Sequence, residues 1–462
     1  MKLSNPNEYW KILNNAANQE VKMGNIDTSS LFNHFNKLSQ KPKSSDGSPS
    51  LDSSFDPRTI NQSINEEINR PISESEILAQ LKKLKNNKSA GIDVVTNELL
   101  KNCPGALITI IGQYFNLILN SGIVPSDWTK GIIKPIFKNK GSPDDPDNYR
   151  GITLLSCLGK LFTSILNKRL SYYVEATGIL GEEQAGFREG YSTTDHIFTL
   201  YSIIDLYLHK KKRIYCAFID YKKAFDLIDR SSLWAKLISN GINGKVITVI
   251  YNMYANAKSC VMNGSEKSDF FNCNVGVRQG ENLSPLLFAM YLNDFELFIS
   301  KYFAGLHDIS NDINTHLSDD DVEVFLKLYT LLYADDTIVF AESESELQRA
   351  LDAVFDYCQN WHLTVNTSKT KIVVFSRGKV RKCGNFKFGN DSIQIVEDFD
   401  YLGIKFNYNN KVKKSINKQV TQARRAMFSL ISKARKLNLP IDIQLELFDQ
   451  LVRPILLYGC ES

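Results

Sequence analysis

Carboxylates follow or separate apolar strands at two places in this 462-residue sequence. The run Ile214 to Ile219 (IYCAFI) has the composition of a buried β-strand and is followed directly by Asp220. The run Leu328 to Phe340 (LYTLLYADDTIVF) predicts two apolar strands that flank Asp335 and Asp336. A carboxylate beside an apolar strand is costly unless it caps a helix or binds a cation. These acids therefore constrain the fold around them.

If the two places meet in the fold, their carboxylates could hold two divalent cations about 3.5–4 Å apart for in-line phosphoryl transfer. Magnesium is the expected cation, because it prefers oxygen ligands and accepts sites that substrate phosphates complete. The alternative is that Asp335 and Asp336 form an ordinary hairpin turn and that Asp220 caps a helix. That alternative would be favoured for an isolated pair of aspartates, so the flanking sequence decides.

The rest of the chain predicts an α+β fold without internal repeats, because helical and strand patterns alternate irregularly. Residues 1–71 are rich in Asn, Ser, Lys and Pro and are expected to be a flexible linker. The folded part is expected to begin with a helix that Ser73 and Glu76 open through a capping box. Ser284 and Pro285 are expected to begin a long helix, with the serine as its cap.

A basic segment lies near the end of the chain. Ten lysines and arginines and no acid lie between Lys405 and Lys436. Apolar residues recur from Ile416 to Leu437 in steps of three and four, which predicts one amphipathic helix. Lys411, Lys418 and Arg425 recur every seven residues, and such a basic face can bind phosphates without reading sequence. A merely solvated helix is the alternative, but the absence of acids favours nucleic acid.

Composition adds only broad limits on function. The net charge of +4 is compatible with a nucleic-acid-binding protein and with many other soluble enzymes. Eight cysteines occur without a C-x-x-C pair, and the N-terminus is polar, which together indicate a reducing, intracellular location. The longest apolar stretch, Ala106 to Leu119, is too short to span a bilayer, so no membrane partner is expected.

Three motifs make the pattern specific, and they occur in the order found in reverse transcriptases. YADD (333–336) resembles the Y-x-D-D signature of that family, and FIDYKKAFDLID (218–229) resembles the motif with its first catalytic aspartate. GVRQGENLSPLLFAMYLND (276–294) resembles the motif that lines the site of the incoming nucleotide. Further segments resemble finger elements of retrotransposons without long terminal repeats (non-LTR retrotransposons): NKSAGIDVVTNELLK (87–101), IIKPIFKNKGSPDDPDNYRGITLL (132–155) and LGEEQAGFREGYSTTDHI (180–197).

The resemblance implies a right-hand polymerase fold with three parts. Its fingers are expected over residues 72–213 and its palm over residues 214–405, which together form the reverse transcriptase domain. A helical thumb is expected over residues 406–462 and is expected to be truncated, because relatives continue beyond this point.

The resemblance also implies roles for individual residues. The metal ligands it implies are Asp220, the backbone carbonyl of Tyr221, and Asp335. Asp336 matches the second acid of the pair, and Lys369 best matches a lysine that protonates the leaving pyrophosphate. General-acid work by a lysine needs a tuned environment, which a sequence does not reveal.

Four further residues match nucleotide-binding positions of the family. Arg150 and Lys134 match finger residues that grip the triphosphate, and Gln279 matches a residue that lies against the incoming nucleotide. Phe225 matches an aromatic residue that excludes the 2′-hydroxyl of a ribonucleotide through a steric clash. As alternatives, the two cations could be solvated surface charges, and Phe225 could be a core residue of a helix.

The implied activity is RNA-directed DNA polymerisation as part of a non-LTR retrotransposon. Its implied partners are an RNA template, a DNA primer or nicked target DNA, and deoxynucleoside triphosphates, with two Mg²⁺ ions as cofactors and Mn²⁺ as a substitute. The implied location is the nucleus and the cytoplasm. Two alternatives remain open, namely a catalytically silent RNA-binding remnant or domesticated protein, and an intron-maturase enzyme, which shares part of the motif set.

Overall fold

The computed structural model describes residues 26–40, 65–306, 330–378 and 384–460. The helices within these residues are α1 Thr28–Leu38, α2 Glu66–Asn69, α3 Glu74–Lys83, α4 Asn97–Lys101, α5 Gly105–Ser121, α6 Ser126–Thr129, α7 Cys157–Ala176, α8 Thr193–His209, α9 Arg230–Ser239, α10 Gly244–Ala255, α11 Ser284–Tyr291, α12 Phe295–Ile299, α13 Glu344–Asn360, α14 Lys413–Lys436, α15 Ile441–Leu451 and α16 Arg453–Leu457. A 3₁₀ turn covers Pro146–Asn148.

The strands of the described residues form three sheets. In chain order they are β1 Lys130–Phe137, β2 Tyr149–Leu154, β3 Ile214–Ile219, β4 Lys258–Asn263, β5 Glu266–Lys267, β6 Phe271–Asn272, β7 Thr330–Tyr333, β8 Asp336–Ala341, β9 Lys371–Phe375, β10 Phe386–Phe388, β11 Asp391–Ile395, β12 Asp398–Tyr401 and β13 Ile404–Asn407. Helices and strands alternate irregularly, as the sequence predicts for an α+β fold.

The central sheet has six strands in the order β10-β11-β9-β3-β8-β7. All six residues of β3 are buried, as its continuous apolar run predicts. The strand lies antiparallel to β8 on one side and to β9 on the other. The hairpin of β7 and β8 confirms the two apolar strands expected around Asp335 and Asp336. The sheet therefore brings the ends of β3 and of this hairpin to the same edge.

The helix expected to be long after Ser284 is short. Helix α11 ends at Tyr291, after eight residues. Leu283 is its N-cap, and the hydroxyl of Ser284 donates to the backbone oxygen of Arg278 at 2.7 Å instead of capping the helix. All of α11 except Pro285 is buried in the main core. The prediction of a long helix capped by Ser284 was wrong, because the serine bonds to the preceding loop.

A second sheet has the strand order β2-β1-β4-β5, and β6 pairs with β4. Helix α1 packs on it, with Leu31 and Phe35 buried against Ile133, Val261 and Phe271. The expectation that residues 1–71 form a flexible linker is therefore wrong for residues 26–40, because their apolar face covers this sheet. It is also wrong from residue 65 onward, where α2 joins the main core. The tether-like residues 41–54 lie outside the described residues.

The capping box at the start of α3 is confirmed. The Ser73 hydroxyl accepts from the Glu76 backbone, while the Glu76 carboxylate accepts from the Ser73 backbone at 3.0 Å. Glu76 also binds Arg169 of α7 at 2.8 Å. Burial alone would raise the pKa of Glu76, but this ion pair, the bond from the Ser73 backbone and the charge of Arg70 lower it to about 2. The same carboxylate thus starts one helix and ties it to another.

The last part of the described chain consists of the β12-β13 hairpin and three helices. Helix α14 packs against β13, α15 and α16. Ala423 and Leu430 are buried in this cluster, as the predicted apolar stripe requires, whereas Ile416 remains 55% exposed. None of the helices in the described residues is long and apolar enough to cross a bilayer.

Candidate active site

The two places where acids accompany apolar strands meet at one edge of the central sheet. Ile219 pairs with Thr337 across β3 and β8, so Asp220 and Asp336 come next to this pair at the ends of their strands. Tyr333 pairs with Asp336 across the hairpin, which leaves Ala334 and Asp335 in the two-residue turn. The structure therefore brings the three aspartates together, as the hypothesis of a shared carboxylate cluster requires.

The turn that carries Asp335 is held by Gln184 and Gly186, which lie in the finger-like segment 180–197. Ala334 has a left-handed backbone conformation, with φ of 59°, which is unfavourable for a residue with a side chain. Its backbone N–H donates to Oε1 of the buried Gln184 at 3.3 Å, and Gly186 donates to the same oxygen at 2.9 Å. A Cβ on Gly186 would lie 2.2 Å from the Ala334 nitrogen. Gln184 and Gly186 thus support the turn that carries Asp335.

Burial and mutual repulsion raise the pKa values of two acids of the site, Asp335 and Asp336. Burial raises the pKa of Asp335, and the nearby charge of Asp220 raises it further. Burial, followed by the charges of Asp335 and Asp220, raises the pKa of Asp336 to about 6, although this side chain reaches solvent. Arg150 and Lys369 act in the opposite direction on Asp335, because both carry positive charge close to it. A cation placed between these carboxylates would relieve the repulsion.

The backbone of Asp220 is fixed by hydrogen bonds, whereas one oxygen of its carboxylate accepts none from the described residues. Its N–H donates to the hydroxyl of Thr370 at 3.1 Å, and its carbonyl accepts from Asn366 at 2.7 Å. Its Oδ2 is buried and accepts no hydrogen bond from the described residues, and the ammonium of Lys369 lies 3.5 Å from it. Tyr221, the next residue, buries its side chain and bridges to Val365. The role of its carbonyl as a metal ligand stays a prediction.

The finger residues expected to grip phosphates share one face of the β1-β2 pair. Lys134 lies opposite Ile152, and Arg150 lies opposite Ile136, which places all four on the side that α1 does not cover. Both cations are exposed. Arg150 is close enough to lower the pKa of Asp335, so this strand faces the acids. Lys134 lies further along the same face.

Two further cations belong to this region, and the sequence reasoning missed them. Lys138 follows β1, and burial together with the positive charge of Lys223 lowers its pKa. Lys223 binds Asp147 at 3.2 Å and thereby joins the turn after Asp220 to the loop between β1 and β2. Lys138 lies in the finger-like segment 132–155, and Lys223 lies in the motif 218–229 that contains Asp220. The sequence does not show that the fold brings these two lysines close to the acids.

Phe225 and Gln279 lie together beside the acids. Phe225 is half-buried in the turn that follows Asp220, not in a helix, and its ring stacks on Phe288 with centroids 4.5 Å apart. The ring also meets Phe187 edge-on at 6.0 Å. Gln279 donates from Nε2 to the carboxylate of Asp226 at 2.7 Å. Asp226 is another residue that the sequence reasoning missed, although it stands directly after Phe225.

A basic groove of about 1000 Å³ opens on the other side of Phe187. Five lysines and Arg188 line it, among them Lys83, Lys88 and Lys160, together with three glutamates, so cations outnumber acids there. Tyr172 and Phe187 also line it and are 62% and 51% exposed. Exposed aromatic rings between cations are the surface on which unpaired bases stack while phosphates are neutralised. This groove (the basic groove below) therefore suits a single-stranded nucleic acid.

The three cations expected on the thumb helix have different surroundings. Lys411 precedes α14 and is exposed, and Arg425 is exposed on the helix itself. Lys418 is instead paired with Asp400 at 3.0 Å and donates to the backbone oxygen of Gly403 at 2.9 Å. The sequence shows no acid within this segment, but the neighbouring β12-β13 hairpin supplies one. Lys418 thus links α14 to the β12-β13 hairpin.

Among the residues that the structure describes, no group of three His, Cys, Asp or Glu side chains is already arranged to hold a metal ion. The donor types nevertheless suit Mg²⁺, because all three acids offer hard carboxylate oxygens and the buried Oδ2 of Asp220 lacks a hydrogen bond.

Comparison with known proteins shows the family to which the chain belongs. Residues 137–406, more than half of the chain, match the family model described as reverse transcriptase (RNA-dependent DNA polymerase). A probable RNA-directed DNA polymerase from transposon X-element of Drosophila melanogaster is 26% identical over 404 residues, which cover 85% of this chain and 41% of that protein. The RNA-directed DNA polymerase from mobile element jockey of the same species is 23% identical, with coverage of 84% and 41%.

A third relative is a retrovirus-related Pol polyprotein from the type-2 retrotransposable element R2DM of Drosophila melanogaster. It is 25% identical over 340 residues, which cover 71% of this chain and 29% of that protein. This chain thus spans less than half the length of each of these three relatives. The family match includes all three aspartates of the site and the finger strand that carries Arg150. The chain belongs to the reverse transcriptase (RNA-dependent DNA polymerase) family and has the right-hand polymerase fold.

Proposed function

We propose that this chain catalyses RNA-directed DNA synthesis as the polymerase portion of a non-LTR retrotransposon protein. The observation that carries the proposal is the meeting of Asp220 with the Asp335-Asp336 turn, opposite a finger strand that bears Arg150. Acids alone would suit many metal sites. Acids faced by a cationic strand suit a polyanionic substrate such as a nucleoside triphosphate.

Asp220 and Asp335 are the proposed ligands of two Mg²⁺ ions, with the carbonyl of Tyr221 as a backbone ligand and Asp336 beside them. When bound, the ions would lower the pKa of the primer 3′-hydroxyl and neutralise charge on the phosphates. Mn²⁺ has a similar preference for carboxylate oxygens and is the proposed substitute. Burial raises the pKa of Asp335 and Asp336, and the repulsion between neighbouring carboxylates raises it further; a cation would offset both effects, which supports a role in cation binding.

The other residues of the site hold and orient the reactants. Arg150, with Lys138 and Lys134 on the same hairpin, would bind the triphosphate, and Phe225 would pack under the sugar. The primer 3′-oxygen forms a bond to the α-phosphorus while the bond from that phosphorus to the bridging oxygen breaks and pyrophosphate leaves. Lys369 would donate a proton to the leaving pyrophosphate, since its ammonium lies at the edge of the site, 3.5 Å from Asp220.

The nucleic-acid partners are proposed from the two basic surfaces. The RNA template would enter along the basic groove, where Tyr172 and Phe187 can stack on its bases. The primer–template duplex would lie along α14 and contact Lys411 and Arg425, which are exposed there. The primer would be DNA, including the nicked target DNA at which elements of this kind begin synthesis. An intracellular location, in the cytoplasm and then the nucleus, would follow from such a target.

One assay tests the proposal and separates it from a silent RNA-binding remnant. The purified chain is given a primed RNA homopolymer, Mg²⁺ and labelled deoxynucleotide, and compared with Asp220→Asn and Asp335→Asn. We expect incorporation by the unaltered chain and its loss in both variants, with primer–template binding kept, because the cationic surfaces are unchanged. Asp356→Asn, an exposed aspartate on α13, is the matched control and should be active. Binding without incorporation by the unaltered chain would favour the remnant.

A further inference from the structure

We infer that Asp226 is a positioning residue whose carboxylate fixes the orientation of the Gln279 side-chain amide, so that the oxygen of that amide is the atom offered to the incoming nucleotide. The inference rests on the proposed polymerase function. Asp226 has no role in the reaction described above. The inference also specifies that Oε1 is the atom of Gln279 that contacts the nucleotide.

The contact between the two side chains is short and sheltered. Nε2 of Gln279 donates to Oδ1 of Asp226 at 2.7 Å. Both residues line a small cavity of about 80 Å³ beneath the finger sheet, next to Val277 and Thr153. The other amide atom, Oε1 of Gln279, is buried and accepts no hydrogen bond from any described residue. A buried acceptor of this kind is costly until a donor reaches it.

The chemistry of the partner sets the direction of the amide. An ionised carboxylate only accepts hydrogen bonds, so the NH₂ group of Gln279 must point at Asp226 and the oxygen must point away. An alanine at position 226 would leave the amide free to turn over. An asparagine would accept from Nε2 or donate to Oε1, so both orientations would be satisfied. Among these three side chains, only the carboxylate imposes one orientation.

The backbone around Gln279 is already fixed on two sides, which leaves the side-chain amide as the part that needs a partner. Gly276 donates to the carbonyl of Ile228, and Val277 donates to the carbonyl of Phe225, both at 2.8 Å. On the other side, Thr153 at the end of β2 donates to the carbonyl of Gln279 at 3.3 Å. The loop is therefore clamped between the turn after Asp220 and the finger strand that carries Arg150.

This clamp also places Asp226 among the cations proposed to bind the triphosphate. Burial raises the pKa of Asp226, while the hydrogen bond from Gln279 and the positive charges of Lys223, Arg150 and Lys138 act in the opposite direction and favour the ionised carboxylate. Gly276 is required for this arrangement, because a Cβ there would lie 2.4 Å from the carbonyl oxygen of Asp226. Asp226 thus joins the Gln279 loop to the cationic side of the nucleotide site.

The test compares steady-state incorporation by Asp226→Ala, Gln279→Ala and the double variant, with primer–template saturating and the deoxynucleotide varied. We expect each single variant to raise the KM for deoxynucleotide about tenfold and to leave kcat within about threefold, since one hydrogen bond of about that strength is lost. The double variant should match the single variants, because each removes the same oriented oxygen. Asp226→Asn should raise KM by a smaller factor.

Asp229→Ala is the matched control for loss of a nearby aspartate. Asp229 caps α9 by accepting from the backbone of Ser232 at 2.8 Å, so this variant should lower the melting temperature without changing KM. If Asp226→Ala behaves like this control, or if its effect multiplies with that of Gln279→Ala, the inference is overturned. If the unaltered chain incorporates no nucleotide, the proposed function fails and the inference fails with it. Incorporation with an unchanged KM in Asp226→Ala would overturn the inference alone.

Discussion

Replacing Gln184 by methionine should reduce polymerisation although this residue touches none of the reacting groups. Its Oε1 accepts from the backbone N–H of Gly186 at 2.9 Å and of Ala334 at 3.3 Å, and the residue is only 2% exposed. Methionine keeps nearly the same volume but cannot accept either bond well. The substitution therefore removes the hydrogen bonds that hold the turn of Asp335 while it keeps the packing.

The size of the effect follows from these contacts. Two buried N–H groups would lose their acceptor, at about 1–3 kcal/mol each, but Nε2 of Gln184 has no partner among the described residues, so its removal offsets part of the loss. We expect the free energy of unfolding to fall by about 1–3 kcal/mol for methionine. We expect alanine to cost about 2 kcal/mol more, because it also leaves a cavity. Without its acceptor, Ala334 would leave the left-handed conformation, and kcat would fall about 100-fold if the aspartates shift by about 1 Å.

Urea unfolding gives the stability of each variant, and single-turnover incorporation at saturating primer–template and nucleotide gives the rate of the chemical step. Both are measured well below the unfolding midpoint, so that the folded fraction stays close to one. A Gln184→Met variant that is less stable but has an unchanged chemical rate would show that the turn keeps its shape without this support. Unchanged stability and unchanged rate together would refute the role given to the hydrogen bonds.

Three further predictions concern stability, sugar selection and nucleic-acid binding. Burial lowers the pKa of His196 from 6.5 to about 4, so the unfolded chain binds this proton before the folded chain does as the pH falls. The free energy of unfolding should therefore fall by about 3 kcal/mol between pH 6.5 and 4. Urea unfolding at a series of pH values should show this loss in the unaltered chain but not in His196→Gln. Phe225→Ala should raise the incorporation of ribonucleotides relative to deoxynucleotides, measured as the ratio of their kcat/KM values. An equal loss of both activities, together with a fall of about 3–5 kcal/mol in the free energy of unfolding, would identify Phe225 as a core residue instead. Replacing both Lys411 and Arg425 by Gln should reduce the slope of the logarithm of the binding constant against the logarithm of salt concentration by about 2. Lys418→Gln should change this slope little, because Asp400 already neutralises Lys418. Equal effects of all three substitutions on the slope would contradict the pairing of Lys418 with Asp400.

The parts of the fold that follow from the sequence are those with a local signal. The apolar run Ile214 to Ile219 predicts a buried strand with the bounds that β3 has. The run around Asp335 and Asp336 predicts two strands, which the hairpin confirms, but it does not give their separate bounds. The capping box of Ser73 and Glu76 is likewise contained within four residues. The roles given to individual residues of the site remain predictions, because no ligand contact tests them.

The parts that the sequence did not reveal depend on contacts between distant segments. Gln184 supports a turn 150 residues further along the chain, and no pattern around it announces the bond to Ala334. Lys418 looked free because its own segment has no acid, while its partner Asp400 belongs to the preceding hairpin. Ser284 looked like a cap because the residues after it are helical, but its hydroxyl is already bonded to Arg278. Gln184 and Lys418 thus have partners outside their own segments, whereas the partner of Ser284 lies only six residues earlier, where the path of the loop, and not its composition, decides the bond.

The position of α1 has a consequence for anyone who shortens this protein. The family motifs begin near residue 87, so a minimal enzyme would naturally be cut close to residue 72. Such a cut removes Leu31 and Phe35 and uncovers Ile133, Val261 and Phe271 on the sheet below. The trimmed protein would then present an exposed apolar surface on the opposite face of the strands that carry Lys134 and Arg150, and such a surface favours aggregation. Poor solubility of that fragment would reflect the lost cover and would say nothing about the polymerase site itself.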